Sequence, residues 1–182
     1  MTTGILAFSF AKRSAHEEPN PVNINLAKAT EKAVDHFRAL GEDTVVVAQW
    51  EIARQLTYDN YRVDRTVTQH HASIKEDGKR YLNSNDVLRE AQQLFGEREI
   101  KKVFVVANPF LHLPTIQKRV AAQGFTVIRD HKISSVGFDR DPRNLQWWCR
   151  GPVELGIYSA IQVVGKVIGH DFSGIGERTP DA

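Results

Sequence analysis

The chain has 182 residues, and its 24 Lys and Arg stand against 22 Asp and Glu, a formal net charge of +2. That balance gives no strong basic field and disfavours dedicated nucleic-acid binding. A 41% hydrophobic and 25% charged composition excludes a disordered chain. The single cysteine, Cys149, excludes an internal disulfide and any four-thiolate metal site. The length favours one domain, read here over 1–170 with a polar, glycine-rich tail at 171–182.

Strand-like runs alternate with stretches of helical period. Residues 4–10 (GILAFSF) read as a buried first strand, followed by a long polar loop over 11–25. Leu26, Ala29, Ala33, Phe37 and Leu40 repeat at helical spacing, with Gly41 at the helix end. Residues 44–48 (TVVVA) form a β-branched second strand, 51–56 a short helix, and 63–68 a weaker third strand. After a charged turn at 75–80, Val87, Leu88, Ala91, Leu94 and Phe95 make one apolar helix face, capped by Ser84 or Asn85 and stopped by Gly96. Residues 102–107 (KVFVVA) are the strongest strand. A helix with Pro114 near its start and Gly124 as its stop follows, then short strands at 126–128 and 133–138. Pro152 opens a last helix running to about 168. This alternation predicts an α/β fold: a doubly wound, mostly parallel sheet with helices on both faces, Rossmann-like in three layers.

No export signal is readable at the start. The longest apolar stretch, 153–168, is interrupted by Glu154, Gln162 and Lys166 and is too short for a bilayer span. The expectation is a soluble, cytoplasmic protein with no membrane span.

In such sheets ligands bind beyond the carboxyl ends of the strands, near the switch in strand order. That rule selects Lys12, Arg13 and Asn25 in the first loop and Gln49 and Glu51 after the second strand. It also selects Asn108 and His112 after the strongest strand. The helix start at Asn83, Ser84 and Asn85 offers free backbone N–H groups suited to an anion. Several of these residues have structural readings too: Ser84 and Asn85 as a helix cap, Glu51 as a solvated first-turn residue. His70 and His71 are adjacent and would point to opposite faces of a strand, a poor metal pair. Trp147 and Trp148 read as packing residues beside a buried, inert Cys149. Phosphate-loop, dinucleotide-fingerprint and nucleophile-elbow motifs are absent.

Residues 83–91 (NSNDVLREA) followed by 102–124 (KVFVVANPFLHLPTIQKRVAAQG) resemble the YdcF/SanA/ElyC-like family of bacterial proteins. Asn83, Ser84 and Asp86 match that family's helix start, and Asn108, His112 and Gly124 its strand, turn and helix. The departures are a first turn reading Ala11-Lys12-Arg13 where the family has glycines, and Asn25 and Thr115 where it has arginines. Any anion contact those arginines make would fall to Lys12, Arg13, Lys118 or Arg119. The resemblance implies a Rossmann-like pocket for a small anionic or nucleotide-like molecule, S-adenosylmethionine among the cofactors to test.

Two other readings differ in class. In one, the protein is a hydrolase or transferase acting on a phosphorylated metabolite, with His112 or Glu51 as general acid or base. In the other it is an interaction module in which Trp147, Trp148 and the last helix form a homo-oligomer contact.

Overall fold

The computed structural model describes residues 1–10, 20–74, 80–110, 112–129, 137–141 and 143–167. Five parallel strands form the central sheet: β1 (Thr2–Ala7), β2 (Asp43–Gln49), β3 (Arg65–Val67), β6 (Lys102–Val106) and β7 (Thr126–Ile128). Their order is β3-β2-β1-β6-β7. The chain therefore winds outward from β1 to β3, returns across the sheet to β6, and winds outward again to β7. This is the doubly wound α/β architecture expected from the sequence. An antiparallel pair, β4 (Ser73–Ile74) and β5 (Arg80–Tyr81), stands apart from it.

The helices divide between the two faces. On one face lie α1 (Pro21–Ala39), α2 (Trp50–Tyr58) and α5 (Pro152–Val167), covering Ile5, Ala7, Val46, Ala48, Phe104 and Val106. On the other lie α3 (Ser84–Glu97) and α4 (His112–Ala122), covering Leu6, Val45, Val47, Val103 and Val105. Alternate strand residues thus enter opposite cores, which is why the strands read as continuous apolar runs rather than alternating ones. Layer spacing is tight above β1: a Cβ on Gly4 would meet the Phe95 ring at 2.9–3.1 Å, so α3 can pack here only over glycine.

Helix boundaries depart from the sequence reading in instructive ways. The α1 helix begins five residues before Leu26, because Asn20 caps it by accepting from Val22 N at 2.8 Å and Pro21 occupies its first position. The end of the expected 11–25 loop is therefore helical. The α3 cap is Asn83, one residue earlier than expected, and its capping box is reciprocal. Asn83 Oδ1 accepts from Asn85 N at 2.8 Å and Asp86 N at 3.2 Å, while Asp86 Oδ2 accepts from Asn83 N at 3.1 Å. Gly96 does not stop α3; the helix continues to Glu97, and Glu99 takes the left-handed backbone at φ 55°. Gly41 and Gly124 do adopt left-handed φ values, 74° and 88°, just beyond α1 and α4. The first strand ends at Ala7, although Phe8 N still donates to Val106 O at 2.8 Å. The expected strand over 133–138 falls mostly outside the described residues, as do the turn at 75–79 and the tail; 137–138 are not in a strand. No helix among the described residues is long and apolar enough to cross a membrane.

Candidate functional site

The switch in winding direction lies between β1 and β6, where Phe8, Ser9 and Phe10 leave β1 and Asn108 leaves β6, and sheets of this kind bind ligands at such a point. The first edge is fixed by side chains that replace the ladder. Gln49 Oε1 accepts from Ser9 N at 2.8 Å, and the buried Asn23 Oδ1, on α1, accepts from Phe10 N at 2.8 Å. The second edge is fixed by Asn108, which is fully buried. Its Nδ2 donates to Gly137 O at 3.0 Å, its Oδ1 accepts from Phe110 N at 3.1 Å, and its carbonyl accepts from Leu113 N at 2.9 Å. Both ends of the Asn108 amide are thus spent inside the protein, where they shape the turn that launches α4.

Two helices on the same face of the sheet begin beside this switch point. Ser84 is the first residue of α3 and His112 the first of α4, and Ser84 Oγ lies 3.3 Å from His112 Nε2. The His112 ring packs edge-on to Phe8, with centroids 5.5 Å apart, and tilted against Phe10 at 6.1 Å. Its Nδ1 is buried without a hydrogen-bond partner among the described residues. Burial, and secondarily the positive charge of Arg119, push the imidazole pKa down to about 4. Neutral His112 is therefore the form present at neutral pH. Arg119, two turns along α4, reaches across to α3, where Nη1 donates to Asn85 Oδ1 at 3.0 Å.

The structure separates the sequence candidates into groups. Ser84 and His112 are brought together, with Asn85 held beside them by Arg119. Asn83 is a helix cap, and its side chain takes the N–H groups of residues 85 and 86, which the sequence reading had left free for an anion. Gln49 and Asn108 brace the two strand ends. Asn25 sits exposed on α1 rather than in a loop. Glu51 lies in the first turn of α2, a helix on the face of the sheet opposite α3 and α4, and its Oε2 is buried rather than solvated. Lys12 and Arg13 lie outside the described residues.

A neighbouring polar network escaped the sequence reading. Asn20 Nδ2 donates to Asp139 Oδ2, and Asn144 Nδ2 donates to Asp139 O at 3.2 Å; all three residues are buried. It ties the start of α1 to the segment before the 3-10 turn at Trp147–Cys149. The Asn20–Pro21 pair was the available sign, being an N-cap residue followed by the proline favoured at a first helical position. Trp148 is buried and stacks on Tyr158 of α5, centroids 4.3 Å apart and planes 11° from parallel. It is a packing residue, as the first reading had it, and not an exposed oligomer contact. Among the described residues no group of three or more His, Cys, Asp or Glu side chains could hold a metal ion.

No family model matches the chain, and no curated protein matches it. Among solved structures, the chain is similar to a Rhizobium etli pyruvate carboxylase variant with the allosteric activator acetyl coenzyme-A, at 11% identity and a TM-score of 0.35. The alignment spans 69% of this chain and 10% of that one. A likeness that slight carries nothing about function.

Proposed function

We propose that this protein binds a small anionic or nucleotide-like molecule at the carboxyl edge of the sheet, in keeping with its resemblance to the YdcF-like proteins. The observation that supports this reading is the meeting of Ser84 and His112, 3.3 Å apart, at the first residues of two helices beside the switch point. Both helix dipoles place partial positive charge there, and Arg119 adds a full charge nearby. A neutral imidazole and a hydroxyl supply directional hydrogen bonds without a competing charge.

The same geometry favours binding over acid–base catalysis. A general base must carry a proton in the transition state. Burial and Arg119 both penalise the imidazolium of His112. His112 is therefore a poor proton acceptor at neutral pH, which weighs against the hydrolase or transferase reading in which it is the base.

The test is a thermal-shift screen of the purified chain against nucleotides, S-adenosylmethionine and phosphorylated metabolites. A ligand at 100 times its Kd adds about 2.7 kcal/mol, enough to raise the melting midpoint by several degrees. The expected result is a shift that His112→Ala abolishes while the unliganded variant stays folded. A panel without a hit, or a hit undiminished in that variant, overturns the reading.

A further inference from the structure

We propose that Ser84 is the residue that faces the ligand and that His112 positions it. In this arrangement His112 Nε2–H donates to Ser84 Oγ, and the Ser84 hydroxyl proton is left for an anionic oxygen of the ligand. The inference rests on the binding reading above and narrows its chemistry to a phosphoryl or carboxylate oxygen, which accepts hydrogen bonds and has none to give.

Two observations set the direction of the hydrogen bond. With its imidazole neutral at neutral pH, His112 carries one ring proton and one ring lone pair. Nδ1 is buried with no partner among the described residues, and the ring packs against Phe8 and Phe10. A proton on Nδ1 would be a stranded donor in apolar surroundings, and buried N–H groups left unpaired are rarer than under-used acceptors. The separation agrees. Hydroxyl donors reach their acceptors at roughly 2.5–3.0 Å and N–H donors at roughly 2.7–3.2 Å. The 3.3 Å from Ser84 Oγ to His112 Nε2 lies nearer the N–H range than the hydroxyl one. The ring proton therefore sits on Nε2 and points at Ser84 Oγ.

The consequence falls on Ser84. A hydroxyl has one proton and two lone pairs. Nε2–H occupies a lone pair, and no other side chain or carbonyl among the described residues takes the Ser84 proton. Were His112 the acceptor, that proton would be spent inside the protein. The backbone repeats the pattern. Asn83 takes the other first-turn amides of α3, its side chain those of residues 85 and 86 and its carbonyl those of 86 and 87, at 3.1 and 3.4 Å. The Ser84 amide is left without a partner among the described residues. Half-buried Ser84 thus carries two unclaimed donors. Arg119, bonded to the neighbouring Asn85, adds positive charge. Donors set beside a cation select an anionic, unprotonated oxygen and reject an ammonium group.

Nitrogen-15 NMR of the unliganded full chain tests the positioning, with His112→Gln identifying the His112 signals among those of the seven histidines. The wild type at neutral pH is expected to show one tautomer, Nε2 protonated and Nδ1 bare. Ser84→Ala is expected to release it into a mixture. A protonated Nδ1, or a tautomer that Ser84→Ala leaves unchanged, overturns the proposal. Amide chemical shifts then test the ligand chemistry, with inorganic phosphate, acetate and methylammonium as probes. Phosphate or acetate at millimolar concentration is expected to move the Ser84 amide signal, and the anion that does so separates a phosphoryl from a carboxylate source. Ser84→Ala is expected to weaken that binding at least about tenfold, and Ser84→Thr, which keeps the hydroxyl, to restore most of it. Both variants should keep the fold by circular dichroism, since the cap of α3 is Asn83. A response to methylammonium, or to neither anion, overturns the assignment of Ser84. Anion binding that survives Ser84→Ala overturns this inference alone. A chain that binds neither an anion nor any member of the thermal-shift panel overturns the binding reading as well.

Discussion

Ser84 Oγ and His112 Nε2 lie 3.3 Å apart although 28 residues separate them in sequence. Their meeting follows from topology. The α3 helix precedes β6 and α4 follows it, both pack on the same face of the sheet, and both begin at the carboxyl edge. The ring is then enclosed by Phe8 and Phe10 from the end of β1. A titratable group is thereby held in a mostly apolar niche, and its charge state becomes coupled to folding.

The sign of that coupling is definite. The His112 pKa is about 4 in the folded chain and about 6.5 when unfolded, so between these values the unfolded state binds more protons. Its contribution is fully present above pH 6.5, declines as pH falls towards 4, and is constant below. The loss amounts to about 3 kcal/mol. His112→Gln removes this component, so the difference in stability between wild type and variant should depend on pH between 6.5 and 4 and be flat above 6.5. Denaturant melts across that range measure it, and a pH-independent difference would refute the buried neutral imidazole.

The α3 start supplies a prediction in two grades. Asn83→Ala removes an exposed-edge cap and is expected to cost about 1 kcal/mol. Asp86 is buried, accepts from Ser73 Oγ and Asn83 N, and pairs with Arg89 at 3.1 Å. Asp86→Ala strands those donors and should cost roughly 1–3 kcal/mol, more than the cap variant. Urea denaturation midpoints rank the two, and the reverse order would show that the Asp86 cluster is marginal.

Asn108→Ala should destabilise the turn after β6, because both ends of a fully buried amide lose their partners' company at once. The expected cost is about 1–3 kcal/mol, with Phe110 N and Gly137 O left unsatisfied. Hydrogen exchange at Phe110 N should rise in the variant relative to wild type while the exchange of β6 is unchanged. Equal loosening of both would place Asn108 in the general core rather than in a local brace.

How much of this was legible beforehand differs between fold and site. The strands at 44–48 and 102–107 and the helix face of Val87, Leu88, Ala91, Leu94 and Phe95 announce themselves because burial on both sheet faces demands long apolar runs and a 3.6-residue stripe. The parallel, two-faced α/β architecture follows from the alternation. Boundaries were less legible where a cap competed with an apolar stripe, as at Asn20 and Asn83, since the stripe marks where a helix is buried and not where it starts. The site was legible only as a set of strand ends. Which residues would touch depended on the faces the helices took, and the alternation does not specify those. That is why Glu51 and His112, equally placed at strand ends, open helices that pack on opposite faces of the sheet. Arg119, in mid-helix, carried a local sign only as a substitute for an absent family arginine.

Gly4 provides the sharpest packing test. It sits in the central strand β1 between β2 and β6, with its Cα hydrogens beneath the Phe95 ring of α3. The strand itself would gain from a side chain, since glycine is a weak strand former. The ring atoms at 2.9–3.1 Å from an added Cβ decide the opposite sign. Phe95 is 1% exposed and meets Phe125 edge-on at 6.0 Å, so it has little room to yield. Gly4→Ala is expected to cost about 1–3 kcal/mol, the usual range for overpacking a core. If the clash is the cause, Phe95→Leu should make Gly4→Ala markedly less costly, giving a coupling of at least about 1 kcal/mol in a double-mutant cycle. Thermal or urea melts of the four proteins measure it. Additive effects would trace the role of Gly4 to the β1 backbone and not to the space that α3 leaves above it.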